Sequence, residues 1–289
     1  MLRRALSAAI VTALIAPSAA GAARLGIIGS PAQYATLRAE GLPLSTLASW
    51  TSFETSSGTL AAILAEAPAG AEPMVNWEPN GVSMPGISAG DNDAYLESWA
   101  RVIAAYKRPV SIRFAHEMNG TWYSWHATGP AAYVAAWRHV VSVFRRVGAT
   151  NAVFVWSPDG LIGEHQGPWE RGVAQWYPGA EYVDVVGMTT YAFASNIRFG
   201  LNSWMTRVDW LHARYRKPMV LPEMKVVFRS RYPWLRELAP ALAARPWIQA
   251  VIWSESLTGQ SGTPGFGNLN WLLENDPQAR KLLRQAVAR

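Results

Sequence analysis

The sequence predicts a single-domain α/β protein, a (β/α)8 TIM barrel, and three observations lead to this prediction. Eight short runs rich in β-branched and aromatic residues alternate with segments whose apolar residues have helical spacing. Once a leader is set aside, roughly 267 residues remain, close to the roughly 250 that are typical of this barrel. The alternative is an open doubly wound sheet, but the first run is followed by GSPAQY, which lacks that fold's glycine-rich phosphate turn.

The eight predicted strands are short apolar runs. In chain order they are RLGIIG, TLASWTSF, EPMVNWEP, RPVSIRFAHE, NAVFVWSP, YVDVVGMTTY, KPMVLPEM and IQAVIWSES. Helices are predicted for DAYLESWARVIAAYKR, PAAYVAAWRHVVSVFRRVG, LNSWMTRVDWLHARYR and DPQARKLLRQAVA. Strands that alternate with helices in one domain pair in parallel, and such barrels carry their chemistry at the carboxyl ends of the strands. The side chains at these ends are therefore the candidates for a functional site.

Residues 1–22 are predicted to be a secretory signal peptide, which leaves the barrel to residues 23–289. Arg3 and Arg4 precede the apolar stretch ALSAAIVTALIA, and the small residues PSAAGAA follow it. We place cleavage after Ala22, with Ala20 as the alternative site and an uncleaved anchor as the alternative fate. No later stretch reaches about 18 uninterrupted apolar residues, so we expect no stable membrane insertion. The prediction is a secreted or periplasmic protein, and a monomer.

Composition excludes some function classes. There are no cysteines, which rules out thiol chemistry and disulfides and, in an exported protein, suggests a bacterial source. The formal charge of +6 is spread along the chain and not clustered, so nucleic-acid binding is not expected. The 15 tryptophans are the unusual feature, because many follow predicted strands beside Glu, Asn or Pro. Flat, partly wet aromatic faces suit a cleft that binds sugars.

Two glutamates stand at the ends of predicted buried strands. Glu117 follows VSIRFA in the stretch SIRFAHEMNGTWYSW, and Glu223 follows PMVL. A carboxylate at a buried position is costly unless it is hydrogen-bonded or used, and two carboxylates facing one aromatic cleft can cleave a glycosidic bond. The alternative is that each glutamate merely pairs with Arg113 or a lysine. HEMNG lacks the second histidine of a zinc-binding helix, so no metal and no cofactor are predicted.

The stretch RFAHEMNGTWYSW resembles the acid/base motif of glycoside hydrolase family 26, which includes β-mannanases, mixed-linkage β-glucanases and β-1,3-xylanases. PMVNWEP, YVDVVGM and KPMVLPE resemble the third, sixth and seventh strands of that family. The resemblance implies a TIM barrel and a retaining β-glycosidase. It implies Glu117 as the acid/base and Glu223 as the nucleophile. It also implies that Trp122 lies beside the cleavage point and that Tyr191 hydrogen-bonds the nucleophile.

The predicted substrate-binding residues stand mostly at strand ends. They are Arg113, His116, Asn119, Trp122, Tyr191, Trp77, Trp156 and Trp253. Glu78 and Glu255 are weaker candidates, since each could bind a sugar hydroxyl or only pair with a basic residue.

Two departures from the family pattern concern the substrate more than the reaction. Thr189 stands where the family often has Asp, and Lys225 stands where it often has Gly. Mannan, glucan and xylan all stay open as substrates, as do endo and exo action. The alternative function is a non-catalytic or weakly active barrel that binds a glycan of the host's own envelope.

Overall fold

The computed structural model describes residues 22–160, 169–192, 200–226, 231–255 and 272–288. The predicted signal peptide, apart from Ala22, lies outside the described residues. Within them, parallel strands form a closed barrel with helices between them, so the predicted (β/α)8 fold is confirmed.

Each of the eight predicted runs contains a barrel strand. The strands are β1 Arg24–Ile28, β2 Leu44–Ser52, β3 Glu72–Glu78, β4 Val110–Phe114, β5 Ala152–Trp156, β6 Val185–Gly187, β7 Thr190–Ala192, β8 Met219–Val226 and β9 Ile248–Ser254. The two short segments β6 and β7 together make the sixth barrel strand, so β8 and β9 are the seventh and eighth. All pairings are parallel. Because β1 pairs with β9 and β6 pairs with β8, the sheet closes on itself.

Helices cover the outside of the barrel. They are α1 Pro31–Ala39, α2 Ser57–Ala65, α3 Met84–Ala89, α4 Asp93–Tyr106, α5 Ser124–Ala127, α6 Gly129–Val147, α7 Trp169–Ala174, α8 Leu201–Tyr215, α9 Arg231–Ala243 and α10 Pro277–Val287. The four helices predicted from spacing correspond to α4, α6, α8 and α10. Helix α6 ends at Gly148, whose φ of 89° suits a glycine C-cap. Across the described part of the chain, none of the helices combines the length and apolarity that a membrane crossing needs.

The two faces of each strand pack into different cores. Inward-facing side chains form two small clusters inside the barrel. One contains Val153, Val155, Val185, Val220 and Ala250, and the other contains Ile28, Ala48, Met74 and Ile252. The alternate residues join a much larger core between the barrel and the helices. This two-residue period decides which side chains reach the mouth of the barrel and which pack beneath the helices.

Candidate active site

Arg113 on β4 is the centre of a polar cluster at the carboxyl end of the barrel. Its guanidinium is fully buried and donates to Asn76 Oδ1 at 3.1 Å, to Glu223 Oε2 at 2.6 Å and to Thr189 Oγ1 at 2.6 Å. Its Nη2 also lies 3.7 Å from Glu117 Oε1. One buried cation therefore touches both predicted carboxylates, and it compensates charges that would otherwise be costly to bury.

The chain leaves β4 through an unusual backbone. Ala115 and Glu117 both have left-handed φ values, 42° and 53°, which non-glycine residues rarely adopt. The backbone N–H of Ala115 bonds to Trp77 on β3, and that of Glu117 bonds to Ser157 just after β5. The turn is thus held from both neighbouring strands, and it places the Glu117 side chain at the barrel mouth. Such strain is typical of functional sites.

Glu223 reaches the site through a break in strand alternation. Val220 faces the barrel interior, so a strict two-residue period would point Glu223 outward. Instead the register of β8 against β9 shifts between Leu221 and Met224, and Met224 joins the core under the helices. This irregularity turns Glu223 inward, where it accepts bonds from Arg113 and from the Tyr191 hydroxyl.

The surroundings of Glu117 favour its protonated form. Burial is the main cause, followed by the negative charges of Asp159 and Glu223, and together they raise the pKa of the Glu117 carboxyl to about 8. Arg113 and a hydrogen bond from Thr189 act in the opposite direction. Glu117 can therefore hold a proton at neutral pH while it lies next to a second carboxylate.

His116 is a neutral, buried partner in this cluster. Burial, with help from the charge of Arg113, holds the pKa of its imidazole well below the usual value. Its Nε2 lies 3.0 Å from the Tyr123 hydroxyl. One ligand atom from each of His116, Glu117 and Glu223 lies within 4.8 Å of the others, a spacing that a metal ion could bridge. Arg113 already supplies positive charge there, and the absence of a catalytic metal stays a prediction.

Trp122 lies against the acid/base candidate. Its indole Nε1 donates to Glu117 Oε2 at 2.9 Å, and 40% of the side chain stays exposed. Gly120 makes this position possible, because a Cβ at residue 120 would lie 2.2 Å from two atoms of the Trp122 ring. Trp122 thus combines a hydrogen bond to Glu117 with an open aromatic face.

Asn119 joins two loops, and its side-chain bonds go to backbone. Its amide donates to the carbonyl of Asp159 at 3.0 Å and accepts from the Asp159 N–H at 2.7 Å. Asp159 is buried and lies just after β5, next to Thr189, with which it forms a β-bridge. The geometry favours a role in holding the loop over direct contact with a sugar.

Two tryptophans predicted to stack on sugars lie in the core, so those predictions are wrong. Trp77 is fully buried between Trp99, at 4.3 Å between ring centroids, and Phe53, at 4.9 Å. Trp156 is fully buried and donates to the Trp176 carbonyl. The reason is strand parity: Val155 and Met74 face the barrel interior, so their neighbours face the helices.

Trp253 follows the same parity as the two core tryptophans. Ile252 faces the barrel interior, whereas Trp253 belongs to the outer core and has no exposed surface. The guanidinium carbon of Arg231 lies 5.6 Å from its ring centroid. Residues 256–271, which follow this strand, lie outside the described residues, and a sugar contact by Trp253 stays a prediction.

Trp50 is a functional candidate that sequence reasoning missed. It lies on β2 and 45% of it is exposed, and its ring centroid is 5.3 Å from that of His116. The sequence locates Trp50 once one inward residue of β2 is known, because Trp50 follows Ala48 by two residues and Ala48 faces the barrel interior. Both stand on the inward face of the strand, and Trp50 is the one at the mouth.

The remaining candidates divide between cleft and scaffold. Glu78 is half-buried, and burial is the main reason that the pKa of its carboxyl is raised. Glu255 accepts backbone N–H bonds from Leu273 and Glu274, so it anchors the segment before α10. Lys225 lies with its ammonium 5.6 Å from the Tyr191 ring centroid, at the edge of the cluster. Lys225, one of the two departures from the family pattern, therefore lies beside Tyr191, which donates a hydrogen bond to Glu223.

Taken together, the fold and the cluster define a class: a parallel (β/α)8 barrel with two carboxylates at the ends of its fourth and seventh strands. Comparison with known proteins agrees with this class. A sequence profile of glycosyl hydrolase family 26 matches residues 93–208, which include Arg113, Glu117 and Tyr191. Over these residues, which are less than half of its length, the chain is similar to glycosyl hydrolase family 26. Glu223 lies outside the matched range, so its place in the site rests on the geometry above.

Curated relatives carry three different activities in their names. The chain is 26% identical over 230 residues to Endoglucanase H of Acetivibrio thermocellus. This match covers 74% of this chain and 24% of that protein. It is 36% identical over 91 residues to mannan endo-1,4-beta-mannosidase A and B of Caldalkalibacillus mannanilyticus, covering 28% of this chain and 16% of that protein. It is 32% identical over 117 residues to a beta-1,3-xylanase of Vibrio sp, covering 39% of this chain and 24% of that protein. The chain thus spans a quarter or less of the length of these relatives.

Solved structures of the family share the fold. A family 26 β-mannanase from Bacteroides ovatus superposes with a TM-score of 0.65 at 16% identity, covering 92% of this chain and 88% of that one. A modular endo-β-1,4-mannanase from Cellulomonas fimi gives a TM-score of 0.68 at 17% identity, and the match covers 93% of this chain and 71% of that one. At these identities the likeness establishes the barrel and leaves the substrate open.

Proposed function

We propose that the protein is an exported retaining β-glycoside hydrolase that cleaves a β-linked polysaccharide by double displacement. β-Mannan and mixed-linkage or β-1,4-glucan are the substrates we favour. In this proposal Glu117 is the acid/base and Glu223 is the nucleophile. The predicted signal peptide, of which all but Ala22 lies outside the described residues, supports the proposed export.

The spacing of the two carboxylates around Arg113 is the observation that carries this proposal. Oxygens of Glu117 and Glu223 come within 4.8 Å of one another. Retaining glycosidases hold their carboxyl groups about 5–5.5 Å apart, whereas inverting enzymes need about 6.5–9.5 Å to admit a water molecule between them. The spacing therefore supports direct attack by one carboxylate over activation of a water.

The environments of the two groups support opposite roles. Glu223 accepts hydrogen bonds from Arg113 and Tyr191, which hold its carboxyl group in a fixed position from which it can attack. Glu117 is buried among negative charges, which favours its protonated form. In the first step Glu223 attacks the anomeric carbon, the glycosidic C–O bond breaks, and Glu117 gives its proton to the leaving oxygen. In the second step Glu117 takes a proton from water, whose oxygen attacks the same carbon and releases Glu223.

The names of the relatives support a β-linked glycan as the substrate class. They include an endoglucanase, mannan endo-1,4-beta-mannosidases and a beta-1,3-xylanase. Two exposed tryptophans at the mouth of the barrel, Trp50 and Trp122, support a sugar ligand, because aromatic faces with polar neighbours suit sugar rings.

Replacement of the nucleophile tests the mechanism. We expect Glu223→Ala to abolish release of reducing ends from β-mannan and β-glucan, and added azide to restore turnover of an aryl glycoside with formation of the α-glycosyl azide. Glu117→Ala should slow substrates with poor leaving groups the most, and azide should then yield the β-glycosyl azide. Glu97→Gln is a matched control, since Glu97 lies on α4, where it pairs with Arg101 and Arg146. Binding of a glycan by titration calorimetry with no turnover by the wild type would instead favour a non-catalytic barrel.

A further inference from the structure

Lys225 on β8 is a buried cation that the proposed chemistry does not use. Only 6% of the residue is exposed. Burial lowers the pKa of its ammonium group, and the negative charges of Glu223 and Glu255 act in the opposite direction. Lysine is almost never buried this deeply unless its charge has a partner. Lys225 also stands where the resembled family pattern often has Gly, so its contacts are a property of this chain.

The ammonium group of Lys225 lies over the ring of Tyr191. The two residues are partners in the pairing of β7 with β8, and the Nζ atom is 5.6 Å from the ring centroid. A cation within about 6 Å of an aromatic centroid is attracted to the ring face, most strongly where water is excluded. Met224 and Val226 join the core under the helices, so Glu223 and Lys225 share the inward face of β8. The lysine, the ring and Glu223 therefore form one group at the barrel mouth.

Tyr191 links Lys225 to Glu223. The Tyr191 hydroxyl donates to Oε1 of Glu223, whereas Arg113 donates to Oε2, so each carboxylate oxygen has its own donor. Tyr191 stands in the short strand β7 and is only partly buried, so the direction of its ring depends on what packs against its face. An ammonium group on that face restricts the ring to directions from which the hydroxyl reaches Glu223.

The Tyr191 hydroxyl favours the second step of the proposed reaction over the first. A hydrogen bond to a carboxylate is strongest when the carboxylate is charged. Glu223 loses its negative charge as it attacks the anomeric carbon, and it regains that charge as water displaces it. Only an interaction that is stronger in the transition state than in the preceding ground state accelerates a step. The bond from Tyr191 strengthens on the way to the second transition state, so it speeds the departure of Glu223.

We propose that Lys225 is a positioning residue, which holds the Tyr191 ring so that its hydroxyl stabilises Glu223 as this carboxylate leaves the glycosyl-enzyme. The inference rests on the proposed function and assigns one residue to one of its two steps. In that step a bond forms between the water oxygen and the anomeric carbon. The bond from that carbon to Glu223 breaks, its electron pair stays on the carboxylate, and the water proton goes to Glu117.

Lys225→Met tests the role of the charge, because methionine keeps an unbranched apolar stem and removes the ammonium group. The substrates are 2,4-dinitrophenyl β-mannobioside and β-cellobioside, whose good leaving group makes the first step fast. In stopped flow the burst of dinitrophenolate reports formation of the glycosyl-enzyme, and the steady phase reports its hydrolysis. We expect the steady rate to fall about 3- to 30-fold, as for loss of a desolvated cation–π contact. KM should fall with kcat, and acid-quenched samples should show more chain carrying one glycosyl group by mass spectrometry.

A double-mutant cycle tests whether Lys225 acts through Tyr191. Tyr191→Phe alone removes a hydrogen bond to a charged group and should slow the second step about 10- to 150-fold. In the Tyr191→Phe background the ring has no hydroxyl to hold in place, so Lys225→Met should change the same rate by less than about twofold. Lys225→Arg keeps a positive charge over the ring and should retain most of the wild-type rate.

The controls separate this inference from the proposed function. Lys217→Met is the matched control, since Lys217 precedes the same strand at its other end and bonds to the Ala180 carbonyl. Thermal unfolding checks each variant, and Lys225→Gln replaces Lys225→Met if the latter does not fold. A wild-type steady rate in the Lys225 variant, or an equal loss in the Tyr191→Phe background, overturns the inference while hydrolysis stands. If the wild type releases no product from any aryl glycoside or β-glycan, the proposed function itself fails.

Discussion

Substitution of Gly120 by alanine tests whether the position of Trp122 matters for catalysis. A Cβ at residue 120 would lie 2.2 Å from Cη2 and Cζ2 of Trp122, far inside any real contact distance. The φ of Gly120 is not in the left-handed region, so the backbone itself accepts alanine. The conflict must then be relieved by movement of the Trp122 ring, which is 40% exposed.

The expected cost is in activity and not in stability. The ring must move by more than about 1 Å to reach ordinary contact, which lengthens the 2.9 Å bond from Nε1 to Glu117 beyond hydrogen-bonding distance. This bond strengthens as Glu117 gives up its proton and becomes charged, and a hydrogen bond to a charged group contributes about 1.5–3 kcal/mol. We expect kcat/KM to fall about 10- to 150-fold for substrates with poor leaving groups.

The assay compares Gly120→Ala with Gly172→Ala, whose added Cβ meets nothing within 4 Å on α7. Both variants should stay within about 1 kcal/mol of the wild type in urea unfolding, because neither disturbs the core. Aryl glycosides with a range of leaving groups should reveal a steeper dependence on leaving-group pKa in Gly120→Ala alone. Wild-type activity of Gly120→Ala toward poor leaving groups would refute the role of the Trp122 bond.

Three further predictions concern the carboxylate environment and the core. Glu117 must be protonated to act as an acid, so activity is present below its pKa and is lost as the pH rises through it. Asp159→Asn removes a negative charge that raises the pKa of Glu117, so the basic limb of the kcat/KM profile should move to lower pH. Arg113→Lys cannot reproduce three bonds in one plane, and we expect at least about a 100-fold loss of kcat/KM. Trp77→Ala should cost about 3–5 kcal/mol in urea unfolding, because the ring is packed on both faces.

The barrel and its polar centre could be predicted because their signals are local or repeated. Eight apolar runs alternate with helical spacing, and each run marks a strand whatever its partner is. Arg113 and Glu117 stand four residues apart in one motif, which places both at the end of one strand, although their close approach depends on the left-handed turn between them. Glu223 is 110 positions from Arg113, and only closure of the barrel brings the two together. Its position near the barrel mouth followed from knowing the fold class, since both residues lie toward the carboxyl ends of barrel strands.

The aromatic side chains could not be assigned from position alone. Strand ends were located correctly, but the direction of a side chain depends on the parity of its position from an inward-facing residue. Met74 and Val155 face inward, which sends Trp77 and Trp156 beneath the helices. The same count from Ala48 sends Trp50 to the mouth. The alternation can be counted along a sequence once one inward-facing residue of each strand is known. Which residue faces inward depends on the neighbouring strands, and the sequence of one strand does not show it.

Parity would also have misplaced the nucleophile candidate, and this exception explains how the site is built. Counting from Val220 sends Glu223 outward, but the register shift in β8 reverses its direction. Glu117 likewise depends on left-handed backbone at its own position and at Ala115. A regular strand holds neighbouring side chains at a fixed spacing, which suits packing but not the close approach of two carboxyl groups. Both carboxylates therefore come from points where regular strand geometry is broken. Arg113, on the regular part of β4, supplies the positive charge that makes their approach tolerable.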